Sequence, residues 1–263
     1  MGVIYVIGAA KGGTAKTVTT YNLAYSLMEL GKRVLAVDMD PQANLTTCFG
    51  VENPAEVSVT IGHLLMNVLE DEELPNSSEY IGERNGVDFI PASLMLSGVE
   101  AKLRLEMGAE KMLGRVLDGV KDDYDCILVD TSPSMGSLTI NALSCADRVI
   151  VTANPQLLAM KGLQEFLKTV NKIRNRLNDR IEVEGILLTM CDRRTNLCKT
   201  IMGEVQDAFD GKLRVFDSMI PNTVKVGESV YYGEPLVEYA ERSEVCEAYR
   251  GLAREVLKMD YSM

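Results

Sequence analysis

Apolar, β-branched runs recur along the chain at 3–8, 33–38, 87–91, 126–130, 148–153, 183–190 and 215–220. They are apolar throughout rather than alternating with polar positions, so the strands they predict are buried on both faces. Helical spacing fills most of the intervals between them. Over 156–177, Leu163, Phe166, Leu167, Val170, Ile173 and Leu177 fall on one face, and Val245, Tyr249, Leu252 and Val256 repeat the pattern near the end. Strand–helix alternation along the whole chain predicts a mostly parallel, twisted β-sheet with helices on both faces, in a single α/β domain over residues 1–263. No linker, low-complexity tract or internal repeat interrupts it. The loosest stretch, 51–86, contains Asn53-Pro54 and the acidic run Glu70-Asp71-Glu72-Glu73 before Pro75, and it reads as a variable insertion within that domain.

The first run, Val3-Ile4-Tyr5-Val6-Ile7-Gly8, leads into Lys11-Gly12-Gly13-Thr14-Ala15-Lys16-Thr17 and then into a helical pattern. Strand, glycine-rich turn and helix in this order make a phosphate-binding loop. Glycines let backbone N–H groups approach phosphate oxygens, and the following helix points its positive end at the same anion. Lys16 can reach the β- and γ-phosphates, and the Thr17 hydroxyl can ligate Mg²⁺. Two features depart from the ordinary loop. Its pattern needs one lysine, and this one has a second, Lys11, five residues earlier. The pattern also places glycine directly before the lysine, where this chain has Ala15. If that backbone requires a positive φ, alanine costs about 1 kcal/mol there.

Ligands of such sheets bind at the carboxyl ends of the strands. Besides the loop, two more ends carry acidic groups: Val37-Asp38-Met39-Asp40-Pro41-Gln42 and Ile127-Leu128-Val129-Asp130-Thr131-Ser132-Pro133-Ser134. An aspartate closing an apolar strand is the usual anchor for nucleotide Mg²⁺. Each acid alone also reads as a cap or turn residue. The three ends together, in this order, point to one nucleotide site.

Composition narrows the classes. Hydrophobic residues at 46% and charged residues at 25% are ordinary for a soluble globular protein. No apolar run approaches the roughly 18 residues of a membrane helix, and the N-terminus has no secretory pattern. The six cysteines are scattered without a C-x-x-C pair, as in a reducing cytosol, which excludes a disulfide framework or an iron–sulfur carrier. His63 is the only histidine, so multi-histidine metal sites are excluded and it reads as structural. The net charge of −11 argues against uniform coating by nucleic acid and leaves room for a local basic patch.

The motifs Lys11-Gly12-Gly13-x-x-Lys16-Thr17, Gly31-Lys32-Arg33-Val34-Leu35 with Asp38-x-Asp40-Pro41-Gln42, and Tyr124-Asp125 through Asp130 to Asn141-Ala142-Leu143 resemble the deviant Walker A ATPases of the ParA/MinD group. The partitioning (ParA) branch fits best. The likeness continues through Gly185–Met190, Arg194-Thr195-Asn196, Ile220-Pro221 and Gly233-x-Pro235, and so covers nearly the whole chain as one P-loop NTPase domain. The resemblance implies a homodimer that sandwiches ATP and Mg²⁺, with Lys11 reaching across to the partner's nucleotide beside Lys16. It implies nucleotide contacts from Gly12, Gly13, Thr14, Ala15, Thr17, Val18, Asp38, Met190 and Pro221. Asp40 positions the attacking water, Asp38 is a neighbouring switch carboxylate, and Thr17 with Asp130, the latter through water, holds the metal. Hydrolysis in the family is slow and stimulated by a ParB-like partner. The ATP dimer binds DNA non-specifically, here through Arg193, Arg194, Lys199 and Lys225, and so is cytoplasmic and nucleoid-associated. Departures from the family pattern are Ala15, Val18 where threonine is common, Asn222 for a basic residue and Lys225 for an arginine. The ending Leu257-Lys258-Met259-Asp260-Tyr261-Ser262-Met263 lacks the basic amphipathic helix of a membrane-bound relative. The chain opens on the P-loop strand, so no N-terminal DNA-binding domain is expected. Two alternatives remain open: a nucleotide-binding regulatory module with little or no hydrolysis, and a MinD-like positioning ATPase.

Overall fold

The computed structural model describes residues 2–9, 11–155, 159–192, 194–209 and 211–259. The order of elements begins β1 (Val3–Gly8), α1 (Lys16–Glu29), β2 (Val34–Met39), α2 (Asn44–Cys48), α3 (Ile61–Leu69), β3 (Gly82–Arg84) and β4 (Val87–Ile90). It continues α4 (Met95–Leu103), α5 (Met112–Asp118), β5 (Cys126–Thr131), α6 (Ser137–Cys145), β6 (Arg148–Ala153), α7 (Ala159–Arg176) and β7 (Glu182–Leu188). The last elements are α8 (Asn196–Phe209), α9 (Val224–Tyr232), α10 (Leu236–Tyr239) and α11 (Glu244–Val256). The strands form one seven-stranded sheet in the order β3-β4-β2-β5-β1-β6-β7. Neighbours run parallel except β3 and β4, which form an antiparallel hairpin at one edge.

Successive side chains of a strand point to opposite faces, and here both faces are covered. Ile4 and Val6 of β1 enter a core closed by α3 to α8, whereas Tyr5 and Ile7 enter a second core closed by α1, α2, α10 and α11. The helix packed on the end of β1 approaches closely. A Cβ on Gly8 would lie 2.3 Å from the Phe166 ring of α7, so only glycine fits. Chain order reverses direction around β1, which has β5 on one side and β6 on the other. That reversal opens the crevice in which doubly wound sheets hold ligands.

Three features differ from the sequence expectations. The run 215–220 is not a regular strand. It meets β7 and the residues after it through isolated bridges, Ile186 with Val215 and Cys191 with Pro221. Between them the Asp217 and Ser218 N–H groups donate to the Glu255 carboxylate of α11, at 3.0 and 2.8 Å. This buried carboxylate, also bonded by Arg214 at 2.8 Å, takes up donors that a ladder would have used. The stretch 51–86 is packed rather than loose. It contributes the fully buried Ile61, Leu64 and Leu65 of α3 and the edge strand β3. His63 caps α3, its Nδ1 accepting the Thr60 N–H at 3.1 Å, which is the structural role expected of it. Leu177 lies past the end of α7 and is 38% exposed, while Leu163, Phe166, Val170 and Ile173 are buried as their spacing implies.

Candidate nucleotide site

The loop between β1 and α1 turns on two left-handed residues, Gly13 at φ 72° and Ala15 at φ 60°, ψ 30°. Left-handed turns of this kind let successive N–H groups line one concavity, and α1 starts immediately after at Lys16 with its positive end toward it. The two lysines part company here. Lys16 is buried at 7% exposure, and burial lowers its pKa against the pull of Asp130 and Asp40. Lys11 stands exposed at the start of the loop.

Threonines pin this loop to the sheet. The Thr14 hydroxyl lies 3.0 Å from that of Thr152 on β6, and the Thr14 carbonyl accepts from the Thr189 hydroxyl at 3.0 Å, just beyond β7. Thr189 also reaches the Ala153 carbonyl at 3.3 Å. Neither Thr152 nor Thr189 stood out in the sequence. Each sits in or beside an apolar run, where threonine reads simply as a strand former.

Parallel pairing of β2 with β5 sets Asp38 directly across from Asp130. The Thr17 hydroxyl donates to Asp130 Oδ2 at 2.7 Å, while Oδ1 is buried without a hydrogen-bond partner among the described residues. Burial, with the Asp38 charge adding to it, raises the Asp130 pKa to about 8. Asp38 is raised to about 6, again mainly by burial. Its oxygens are already bonded: Oδ1 accepts the Asp40 N–H at 3.0 Å, and Oδ2 accepts the Thr46 N–H at 2.9 Å and hydroxyl at 2.7 Å. Thr46 in turn accepts the Ala92 N–H at 2.8 Å. Asp38 thus fixes the turn after β2, and Asp40 is held at the head of that turn, accepting the Gln42 N–H at 3.0 Å. Pro133, after β5, lies against Gly12, where a Cβ would be 3.7 Å away.

Among the described residues no three His, Cys, Asp or Glu side chains gather to hold a metal by themselves. What the site offers is the Thr17 hydroxyl of α1 and an orphaned buried carboxylate oxygen, Asp130 Oδ1 of β5. That donor set suits Mg²⁺, which keeps waters and takes most of its remaining oxygens from substrate phosphates.

Beside the loop opens a cavity of about 310 Å³, walled by Ala15, Val18, Met190, Pro221, Val226 and Tyr249 among others. Gly13 lines it as well, so five residues named from the sequence as nucleotide contacts share one pocket. Its walls are largely apolar, as a planar base requires. Met190 reaches it from a left-handed backbone, φ 56°.

Two of the expected basic positions, Arg194 and Lys225, lie on segments that meet just beyond β7. The Cys191 N–H donates to the Ile220 carbonyl at 3.0 Å and the Asn222 N–H to the Cys191 carbonyl at 3.1 Å, which brings the Arg194 loop beside the start of α9. Arg194, Lys199 and Lys225 are exposed, and Arg193 lies outside the described residues. Arg194 forks onto Asp192 through Nε at 2.9 Å and Nη2 at 3.0 Å, which raises its own pKa and lowers that of Asp192. Among the described residues no helix is long and apolar enough to cross a membrane.

A family model described as an AAA domain matches residues 2–183. The chain is 38% identical over 256 residues to the sporulation initiation inhibitor protein Soj of Bacillus subtilis, covering 97% of this chain and 98% of that protein. It is 35% identical over 260 residues to the chromosome partitioning protein ParA of Myxococcus xanthus, with 99% and 89% covered. A solved structure of cobyrinic acid a,c-diamide synthase from Mycobacterium smegmatis, with bound ATP analogue and magnesium, superposes with a TM-score of 0.84 at 30% identity, covering 98% and 95% of the two chains.

Proposed function

The chain belongs to the ParA/MinD family of P-loop ATPases, and from that premise we propose that it is an ATP-driven dimeric switch acting in plasmid or chromosome partitioning. The observation that carries this reading is the division of labour between the two loop lysines. Lys16 is buried at the loop's own phosphate site, whereas Lys11 is exposed and free to address charge outside its own chain. A cation so placed favours a second copy only when that copy's nucleotide brings enough negative charge. Two chains then close on each other in the triphosphate state and separate after hydrolysis.

Bound ATP would rest its phosphates in the loop and its base between Ala15, Val18, Met190 and Pro221. Thr17, with Asp130 through water, would hold Mg²⁺, which neutralises charge on the β- and γ-oxygens. Asp40 orients the attacking water. Turnover is slow, because the positioning groups are few and a ParB-like partner completes the stimulation. The ATP dimer holds DNA without sequence preference through Lys199, Lys225, Arg194 and Arg193, which gives a cytoplasmic protein that associates with the nucleoid.

Light scattering of the apo, ADP and ATP forms tests the switch. The wild type is expected to double in mass with ATP and Mg²⁺ alone, and Lys11→Ala to remain monomeric while still binding ATP. A wild type that stays monomeric with ATP refutes the sandwich. Asp40→Ala is expected to dimerise and lose hydrolysis. No turnover in the wild type, even with DNA and its partner present, assigns the chain instead to nucleotide-binding modules without hydrolysis.

A further inference from the structure

Helices α9 and α10 carry three tyrosines that meet, Tyr231 and Tyr232 at the end of α9 and Tyr239 at the end of α10. Tyr231 is 84% exposed and Tyr232 61%. Their rings meet edge to face with centroids 5.2 Å apart, and Tyr232 stacks on Tyr239 at 5.7 Å and 24°. Large rings held together in open solvent are unusual on a surface with no partner, since aromatic side chains gain most from being covered. Two carboxylates edge the row. The Tyr239 hydroxyl donates to Glu228 Oε2 at 3.1 Å, and Glu234 follows in the turn, close enough to act on the same hydroxyl. Helix α9 ends at Gly233, so its negative end faces this region as well. The cation of that helix, Lys225, stands at the opposite end, seven residues before Tyr232.

Exposed π faces, carboxylates and a helix C-terminus all attract cations and all repel phosphate. Of the two basic side chains, arginine suits the row better. Its planar guanidinium stacks on a ring while its edge N–H groups bond carboxylates, which an ammonium cannot do together. We propose that the Tyr231–Tyr232–Tyr239 row, edged by Glu228 and Glu234, is a docking site for an arginine-bearing segment of a partner protein. This surface lies outside the nucleotide cavity, and nothing in its argument depends on ATP or on dimerisation.

The test uses the full chain and a fluorescein-labelled Arg-Ser repeat peptide, with a Lys-Ser repeat of equal charge beside it, read by fluorescence anisotropy. The arginine peptide is expected to bind several-fold more tightly. The double variant Tyr231→Ser, Tyr232→Ser keeps the net charge, so any loss reports the rings. It is expected to weaken arginine-peptide binding about tenfold and erase the preference over lysine, with the melting temperature and ATP binding unchanged. Glu228→Gln with Glu234→Gln is expected to weaken both peptides. Equal binding of the two peptides by the wild type, or unchanged affinity in the tyrosine variant, overturns the proposal. So does a labelled single-stranded oligonucleotide that outcompetes the peptide and is itself lost with the tyrosines, since that outcome makes the row a base-stacking surface.

Discussion

Alanine at φ 60° holds its Cβ against the following carbonyl, a strain glycine avoids. Ala15→Gly is therefore expected to stabilise the protein by about 1 kcal/mol, net of glycine's greater freedom when unfolded, and to raise the melting temperature by roughly 2–4 °C. ATP affinity should hold within about twofold, because Lys16, Thr17 and Asp130 keep their positions; a thermal scan showing no rise dismisses the strain. The two buried aspartates give a pH dependence of opposite sense to ordinary surface acids. Their folded pKa values, about 8 for Asp130 and about 6 for Asp38, exceed the unfolded value near 3.9. The folded chain then holds more protons than the unfolded one in that window, so metal-free stability falls as pH rises from about 4 to about 8. Asp130→Asn should flatten the upper part of that slope, and Mg²⁺ with ATP should add more to the melting temperature at pH 8.5 than at pH 6.5. Scans across this range check both. The residues that meet at the ends of β1, β2 and β5 were legible in the sequence, since Lys16, Thr17, Asp40 and Asp130 follow from where apolar runs end. The brace was not: Thr14 was named only as a nucleotide contact and Thr152 and Thr189 not at all, because a hydroxyl that braces a loop across the sheet has no local pattern.

The braces and latches that join elements are where local sequence says least. Thr189→Val removes the donor to the buried Thr14 carbonyl and should cost about 1–3 kcal/mol. Because that bond ties the phosphate loop to the end of β7, ATP affinity should fall with it, as titration calorimetry would register. A loss of stability with unchanged affinity separates the brace from the site. Glu255 plays the same part alongside β7. Its carboxylate binds Arg214 and the Asp217 and Ser218 amides, so the run 215–220 follows β7 without joining it as a strand. Apolar content alone predicted a strand there, and only a side chain from α11, some forty residues further on, decides otherwise. Glu255→Ala should destabilise by about 3 kcal/mol, the low end for breaking a buried pair, because Arg214 is 39% exposed. The central strands and the long helices needed no such arbitration. Their burial follows from composition and period, as with Val245, Tyr249, Leu252 and Val256 along α11.

The molecule as a whole is acidic, with −11 on each chain, yet the proposed DNA face gathers cations from α8, α9 and the loop before them. Long-range repulsion and local attraction therefore oppose each other, and the salt dependence of binding measures the local part. Each phosphate neutralised contributes roughly −0.9 to the slope of log affinity against log salt. With Arg193, Arg194, Lys199 and Lys225 engaged on each of two copies, the ATP-bound protein is expected to show a slope of about −7 on non-specific duplex DNA. Lys225→Ala removes one contact per copy and should make the slope shallower by about 2, with affinity falling equally on unrelated sequences. Arg194 behaves differently, because it must leave Asp192 before it can meet a phosphate. Asp192→Asn removes that competitor and is expected to raise DNA affinity about threefold, a modest gain because both groups are exposed and screened. Anisotropy titrations at several salt concentrations, with ATP and without, read all three values. If Lys225→Ala leaves the slope where it was, the basic face does not carry the DNA and the acidic surface of the chain prevails.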